Sequence, residues 1–280
     1  SDMISLIDLS TPEFKVVDRV LFEDQPVHVL AHPDKEHFIV GAVENYYVFK
    51  IANGKLVEVN RSPHAKGGPN FWITPTGNKL LATLGDVDAV NSPSAIHLYS
   101  LSLMDVKHLH EVKVLEGVDT RLTPDSHILR ISLDGRMALV CQSARGNTGN
   151  LCDVLVVDLT KNPPVVNSVI KQVGDGVESF AFHPNGKMAV VTCLSKFNNS
   201  IAVLDIQSNP PRVLYHLDTG GCAQGIEFTP DGDKLFVGSS FTNRIEVFDV
   251  VGEFSLRKDP RFLKTGHGHC SLTIGETWKD

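Results

Sequence analysis

Apolar residues fall in short bursts along this chain, alternating with polar ones or running together, and the bursts are bounded by Gly, Pro, Asn and Asp. That is the pattern of strands and turns. No segment sustains an apolar period near 3.6, so very little helix is expected. One phrase recurs: VLAHPDK (29–35), FWITPTG (71–77), LRISLDG (129–135), FAFHPNG (180–186), IEFTPDG (226–232) and, degraded, CSLTIGE (270–276). Its anchor residues are Pro33, Pro75, Leu133, Pro184, Pro230 and Ile274, 42 to 58 residues apart. That period suits a four-stranded propeller blade. Within the phrase, proline presets φ at the first turn position and glycine accepts positive φ, so the strand turns into its neighbour.

A second phrase follows, an apolar strand ending near Asp: SLIDLS (5–10), VLVVDLT (154–160), IAVLDIQ (201–207) and IEVFDVV (245–251). YYVFKIA (46–52) and IHLYSLS (96–102) are variants of it. The first such strand opens the chain, and the last anchor strand closes it. The expected fold is therefore all-β: a β-propeller of about six blades, five complete and one composite blade closed by N- and C-terminal strands. Residues 1–280 would form a single domain. Joining the two termini would also hide open sheet edges. If the chain is part of a longer parent, a seventh blade is expected.

In GGPNFWITPTGNKLLATLGD (67–86) and AQGIEFTPDGDKLFVGSSFTNRIEVFDV (223–250) the sequence resembles the lactonase-type, YVTN-repeat β-propeller superfamily, with 6-phosphogluconolactonase-like and muconate-cyclase-like propellers among its members. The segment IANGKLVEVNRSP (51–63) supports the likeness. The resemblance implies architecture first. The superfamily also includes surface-layer modules and cofactor-enzyme subunits, so activity has to be argued from a site. The Gly-His and Trp-Asp signatures of WD40 repeats are missing, and the repeat is only loosely WD40-like.

Composition narrows the classes. The formal net charge is −7 and no basic cluster appears, which disfavours a nucleic-acid partner. No apolar run reaches the ~20 residues of a membrane span. The start carries no leader-like segment, and a leader removed before Ser1 is compatible with the sequence. Five cysteines (141, 152, 193, 222 and 270), odd in number and without C-x-x-C spacing, lean towards a reducing, cytoplasmic compartment. No motif names a cofactor. The sequence contains no G-x-S-x-G elbow, no P-loop and no H-E-x-x-H.

Side chains alternate faces along a strand. Positions two and four before each anchor read Ala31/Val29, Ile73/Phe71, Ile131/Leu129, Phe182/Phe180, Phe228/Ile226 and Leu272/Cys270, an apolar face for blade-on-blade packing. The opposite face is mixed and carries His28, Asn70, Trp72, Arg130, Glu227, His269 and Ser271. It is expected to border a central channel. The candidate catalytic residues there are His28, Glu227 and His269, able to move protons or activate water. The candidate substrate-binding residues are Arg130, whose fork suits a carboxylate or phosphate, with Asn70, Trp72 and Ser271. Against this stands a structural ion pair between Arg130 and Glu227. The expected function is lactonase-like: binding a small polar or acidic ligand at the channel mouth, with non-covalent acid–base hydrolysis or isomerisation. The alternative is a non-catalytic interaction propeller that holds a protein partner on its long loops, 84–95, 142–153 and 194–200. His267 and His269, with His28, resemble metal ligands, but spacing supplies no further ligand and no metal site is assigned. His32, His183 and the hydroxyl residues just before the anchors are expected to bond the turn backbone. Asp8, Asp158, Asp205 and Asp249 are expected to cap turns.

Overall fold

The computed structural model describes residues 2–8, 15–64, 70–84, 95–102, 104–118, 128–142, 152–194, 200–265 and 272. Two compact units divide the chain, Ser1–Lys113 and Val114–Asp280. Six antiparallel sheets of β-propeller type make up the described residues, which contain no helix.

The first unit opens with β1 (Met3–Asp8) paired to β2 (Lys15–Leu21). Blade one is β3 (Pro26–Ala31), β4 (His37–Ala42), β5 (Asn45–Ala52) and β6 (Lys55–Pro63), in spatial order. Blade two is β7 (Asn70–Ile73), β8 (Lys79–Leu84), β9 (Ala95–Ser102) and β10 (Asp105–Glu111). The short β11 (Lys113–Val114) follows.

In the second unit, blade three is β12 (Leu129–Ile131), β13 (Met137–Gln142), β14 (Cys152–Asp158) and β15 (Val165–Gly174), with β11 along its outer edge. Blade four is β16 (Val177–Phe182), β17 (Met188–Cys193), β18 (Ser200–Asp205) and β19 (Arg212–Asp218). Blade five is β20 (Ala223–Phe228), β21 (Lys234–Ser239), β22 (Arg244–Gly252) and β23 (Ser255–Lys264). The first strands lie side by side, β3 with β7 and β12 with β16 with β20.

The anchor phrase forms the same turn in all five complete blades. A backbone N–H two residues past the anchor bonds the carbonyl one residue before it: Lys35 to His32, Gly77 to Thr74, Gly135 to Ser132, Gly186 to His183 and Gly232 to Thr229, at 2.8–3.0 Å. The donor has positive φ each time, from 64° at Lys35 to 79° at Gly232. Blade one thus holds a lysine where the other four have glycine. The residues before the anchors serve these turns. Ser132 Oγ and Thr229 Oγ1 accept the N–H groups of Met137 and Lys234, at 3.1 and 3.0 Å. His32 and His183 reach further: their Nε2 atoms lie 2.8 and 2.9 Å from the carbonyls of Gly77 and Gly232, in the turn of the next blade. Asp158 and Asp205 cap turns, accepting from the N–H groups of Thr160 and Gln207. Asp249 instead pairs with Lys234 and Arg257, because both cations lie across the sheet from it.

The apolar face packs against the preceding blade. Phe180 and Phe182 enter a core with Leu139, Val154 and Val156 of blade three. Ile226 and Phe228 enter one with Ala181, Met188 and Val190 of blade four. Phe71 and Ile73 meet Ile39, Tyr46 and Val48 of blade one. Blade one departs from the expectation: Val29 and Ala31 are exposed, Val29 by 47%. The sheet β1–β2 brings Ile4, Val20 and Phe22 against Val40, Tyr47 and Phe49 on β4 and β5. Among the described residues this small sheet reaches β4 and β5, and none covers Val29 and Ala31 of β3. The expected closing strand, 270–276, lies outside the described residues except for Leu272.

Candidate functional site

The mixed face of the first strands is built as the alternation requires. Arg130 on β12 and Glu227 on β20 both stand on it, in the second unit, separated by β16 of blade four. The Arg130 side chain spans the distance past β16. Arg130 Nη2 donates to both Glu227 carboxylate oxygens at 2.7 Å, and Nη1 donates to the Phe180 carbonyl at 2.7 Å. One side chain therefore ties three adjacent blades together. The side chains are 12% and 18% exposed, shielded but reachable from solvent. Burial pushes the Glu227 carboxyl above the ordinary carboxylate range, and the Arg130 charge and hydrogen bonds pull it back. Desolvation wins over pairing, which marks a carboxylate closer than usual to taking up a proton.

In the first unit, His28 on β3 lies beside β7. Its ring packs on Phe71 with centroids 5.0 Å apart, and Nδ1 receives a long contact of 3.5 Å from the Phe71 N–H. Burial pushes this imidazole down to about 4, so it is neutral at physiological pH. Asn70 and Trp72 are half-buried on β7, opposite Thr83 and Leu81 of β8. The Asn70 carbonyl accepts a hydrogen bond from Thr83 Oγ1 at 3.3 Å. His267, His269 and Ser271 lie outside the described residues. The structure thus brings Arg130 and Glu227 into direct contact, and sets His28 against blade two. Sequence reasoning missed the Phe180 carbonyl as the third partner, because a backbone acceptor leaves no trace in residue identity.

Among the described residues no three His, Cys, Asp or Glu side chains gather as a ready-made metal shell. Cys141, Cys152 and Cys193 are buried, and burial pushes Cys193 up to about 12, leaving it unreactive. No helix among the described residues is long and apolar enough to cross a membrane.

No protein-family model and no curated protein sequence matches the chain. Its fold is nonetheless shared with solved structures. A functionally unknown protein from Desulfotomaculum acetoxidans superposes with a TM-score of 0.75 at 18% identity, covering 95% of this chain and 77% of that one. The periplasmic gluconolactonase of Pseudomonas aeruginosa gives 0.66 at 15% identity, covering 90% and 74%. Kuenenia stuttgartiensis hydrazine synthase gives 0.71 at 15% identity, covering 95% and 82%. These likenesses establish a shared β-propeller fold. Proteins of such different chemistry on one fold leave activity to be argued from the side chains.

Proposed function

We propose that this chain binds a small polar or acidic ligand of the sugar-lactone type on the face carrying Arg130 and Glu227, and hydrolyses or isomerises it by non-covalent acid–base chemistry. The observation that carries the reading is the shielded Arg130–Glu227 contact, with its carboxyl raised by burial. The likeness to a gluconolactonase supports the substrate class.

The two groups are coupled. A ligand carboxylate or phosphate engaging the Arg130 fork draws compensating charge away from Glu227, whose affinity for a proton then rises. Glu227 is thereby poised to take a proton from water attacking the lactone carbonyl and to return one to the departing ring oxygen.

Arg130→Ala is a poor probe, because it leaves Glu227 buried without its partner and costs about 3 kcal/mol or more of stability. Arg130→Lys keeps the charge and removes the fork; Glu227→Gln keeps the shape and removes the titratable group. Calorimetry with gluconolactone and gluconate should show Arg130→Lys binding about tenfold more weakly. Glu227→Gln should retain gluconate but lose about 100-fold in lactone turnover. If both variants bind and turn over these compounds as the parent chain does, or the parent chain does neither, the contact is structural and the proposal is wrong.

A further inference from the structure

A second cluster of titratable groups lies away from this face, on the outer strands of blade two. His97 on β9 and His108 on β10 are diagonal neighbours: His108 pairs with Tyr99, and His97 with Glu111. Their imidazoles face each other, His97 Nδ1 lying 3.0 Å from His108 Nε2, with ring centroids 5.2 Å apart. A bulge between His108 and His110 shifts the register and sets Glu111 opposite His97. Such a bulge re-aims side chains on an edge strand. His108 and Glu111 are exposed and His97 is half-buried, with the buried Tyr99 ring 5.3 Å from His108.

We propose that His97 and His108 form a two-imidazole binding site for a divalent first-row transition-metal ion of the zinc, copper or nickel kind. Imidazole nitrogen is a preferred donor for these ions. At metal–nitrogen distances of about 2.0–2.1 Å, two cis ligands stand about 2.9 Å apart around a square or octahedral ion and about 3.3 Å apart around a tetrahedral one. The observed 3.0 Å falls between these, so the two nitrogens already stand at the separation that one shared ion requires. The charge state suits it too. Burial, and then the neighbouring His108, push His97 below the ordinary imidazole value, which favours the neutral ring a metal ion requires. The one proton now shared between the facing nitrogens moves to the outer nitrogen of its own ring, through solvent, when the ion takes its place.

The test uses the full chain with ZnCl2 and NiCl2 as probes. Equilibrium dialysis with metal analysis should find one zinc per chain. X-ray absorption on the loaded protein should report two imidazole nitrogens. His108→Ala, an exposed position that the fold tolerates, should weaken binding by about tenfold or more, and His108→Gln should do the same. A control variant, His267→Ala with His269→Ala, separates this site from the tail histidines and should bind as the parent does. If the parent chain retains no metal, if His108→Ala binds it unchanged, or if the ion is lost only with the tail pair, the His97–His108 contact is a hydrogen bond and nothing more.

Discussion

At the scale of single residues, burial decides what each polar group on the first strands can do. Glu227 and His28 are both desolvated, and the consequence differs in sign because one is an acid and the other a base. For Glu227 the charged form is penalised but held by Arg130. Among the described residues His28 has no such partner, and its imidazole drops to about 4 in the folded state against 6.5 when unfolded. Between those values the unfolded chain binds more protons than the folded one, so stability is intact above pH 6.5 and is lost as pH falls towards 4. The shift corresponds to about 3 kcal/mol in full, of which about 2 kcal/mol should be lost between pH 7 and pH 5. Urea denaturation at the two pH values tests this by difference. His28→Gln should remove most of that acid-side loss, and an identical pH dependence in parent and variant would show that the ring is not desolvated as described.

At the scale of elements, the repeated turn separates two effects usually confounded, backbone strain and steric contact. Gly186 and Gly232 occupy the same place in consecutive blades, with φ of 71° and 79°. A Cβ on Gly186 would meet nothing within 4 Å, whereas one on Gly232 would lie 2.7 Å from His183 Nε2. Gly186→Ala should therefore cost only the left-handed penalty, about 1 kcal/mol. Gly232→Ala should cost that and also displace His183 from the Gly232 carbonyl, roughly 1–3 kcal/mol more. Denaturant midpoints for the two variants check the order, and equal losses would remove the proposed link between blades. This link also shows what could be read from the chain. The Pro-x-Gly phrase specifies its own turn, since φ preferences are local, and the strand alternation correctly placed Arg130 and Glu227 on one face. The reach of His32 and His183 into the next blade was not legible, because it depends on the spacing of two sheets. The contact of Arg130 with the Phe180 carbonyl was hidden for the same reason.

At the scale of the whole molecule, the repeat predicts sheets that each cover the face of the next, and the first sheet is where this is least complete. Among the described residues, the core with Val40, Tyr47 and Phe49 of blade one is met by β1 and β2, which reach β4 and β5 while Val29 of β3 is exposed. The attachment depends largely on Phe22, whose ring stands edge-on to Tyr47 at 4.9 Å and tilted to Phe49 at 5.8 Å. Its backbone N–H also bonds the Asp2 carbonyl at 2.8 Å, fixing the end of the hairpin. A two-stranded sheet has little burial of its own and is only marginally stable alone, so its opening should be sub-global. Phe22→Ala removes a half-buried ring and should weaken this attachment by about 2 kcal/mol. Hydrogen exchange resolves the consequence. Amides of β1 and β2 should exchange about 30-fold faster in the variant, the rate equivalent of that loss, while those of β17 and β18, buried in the second unit, keep their protection. If β1 and β2 instead open together with β4 and β5 in both proteins, the first sheet is an integral part of the blade-one core rather than a flap laid over its outer strands.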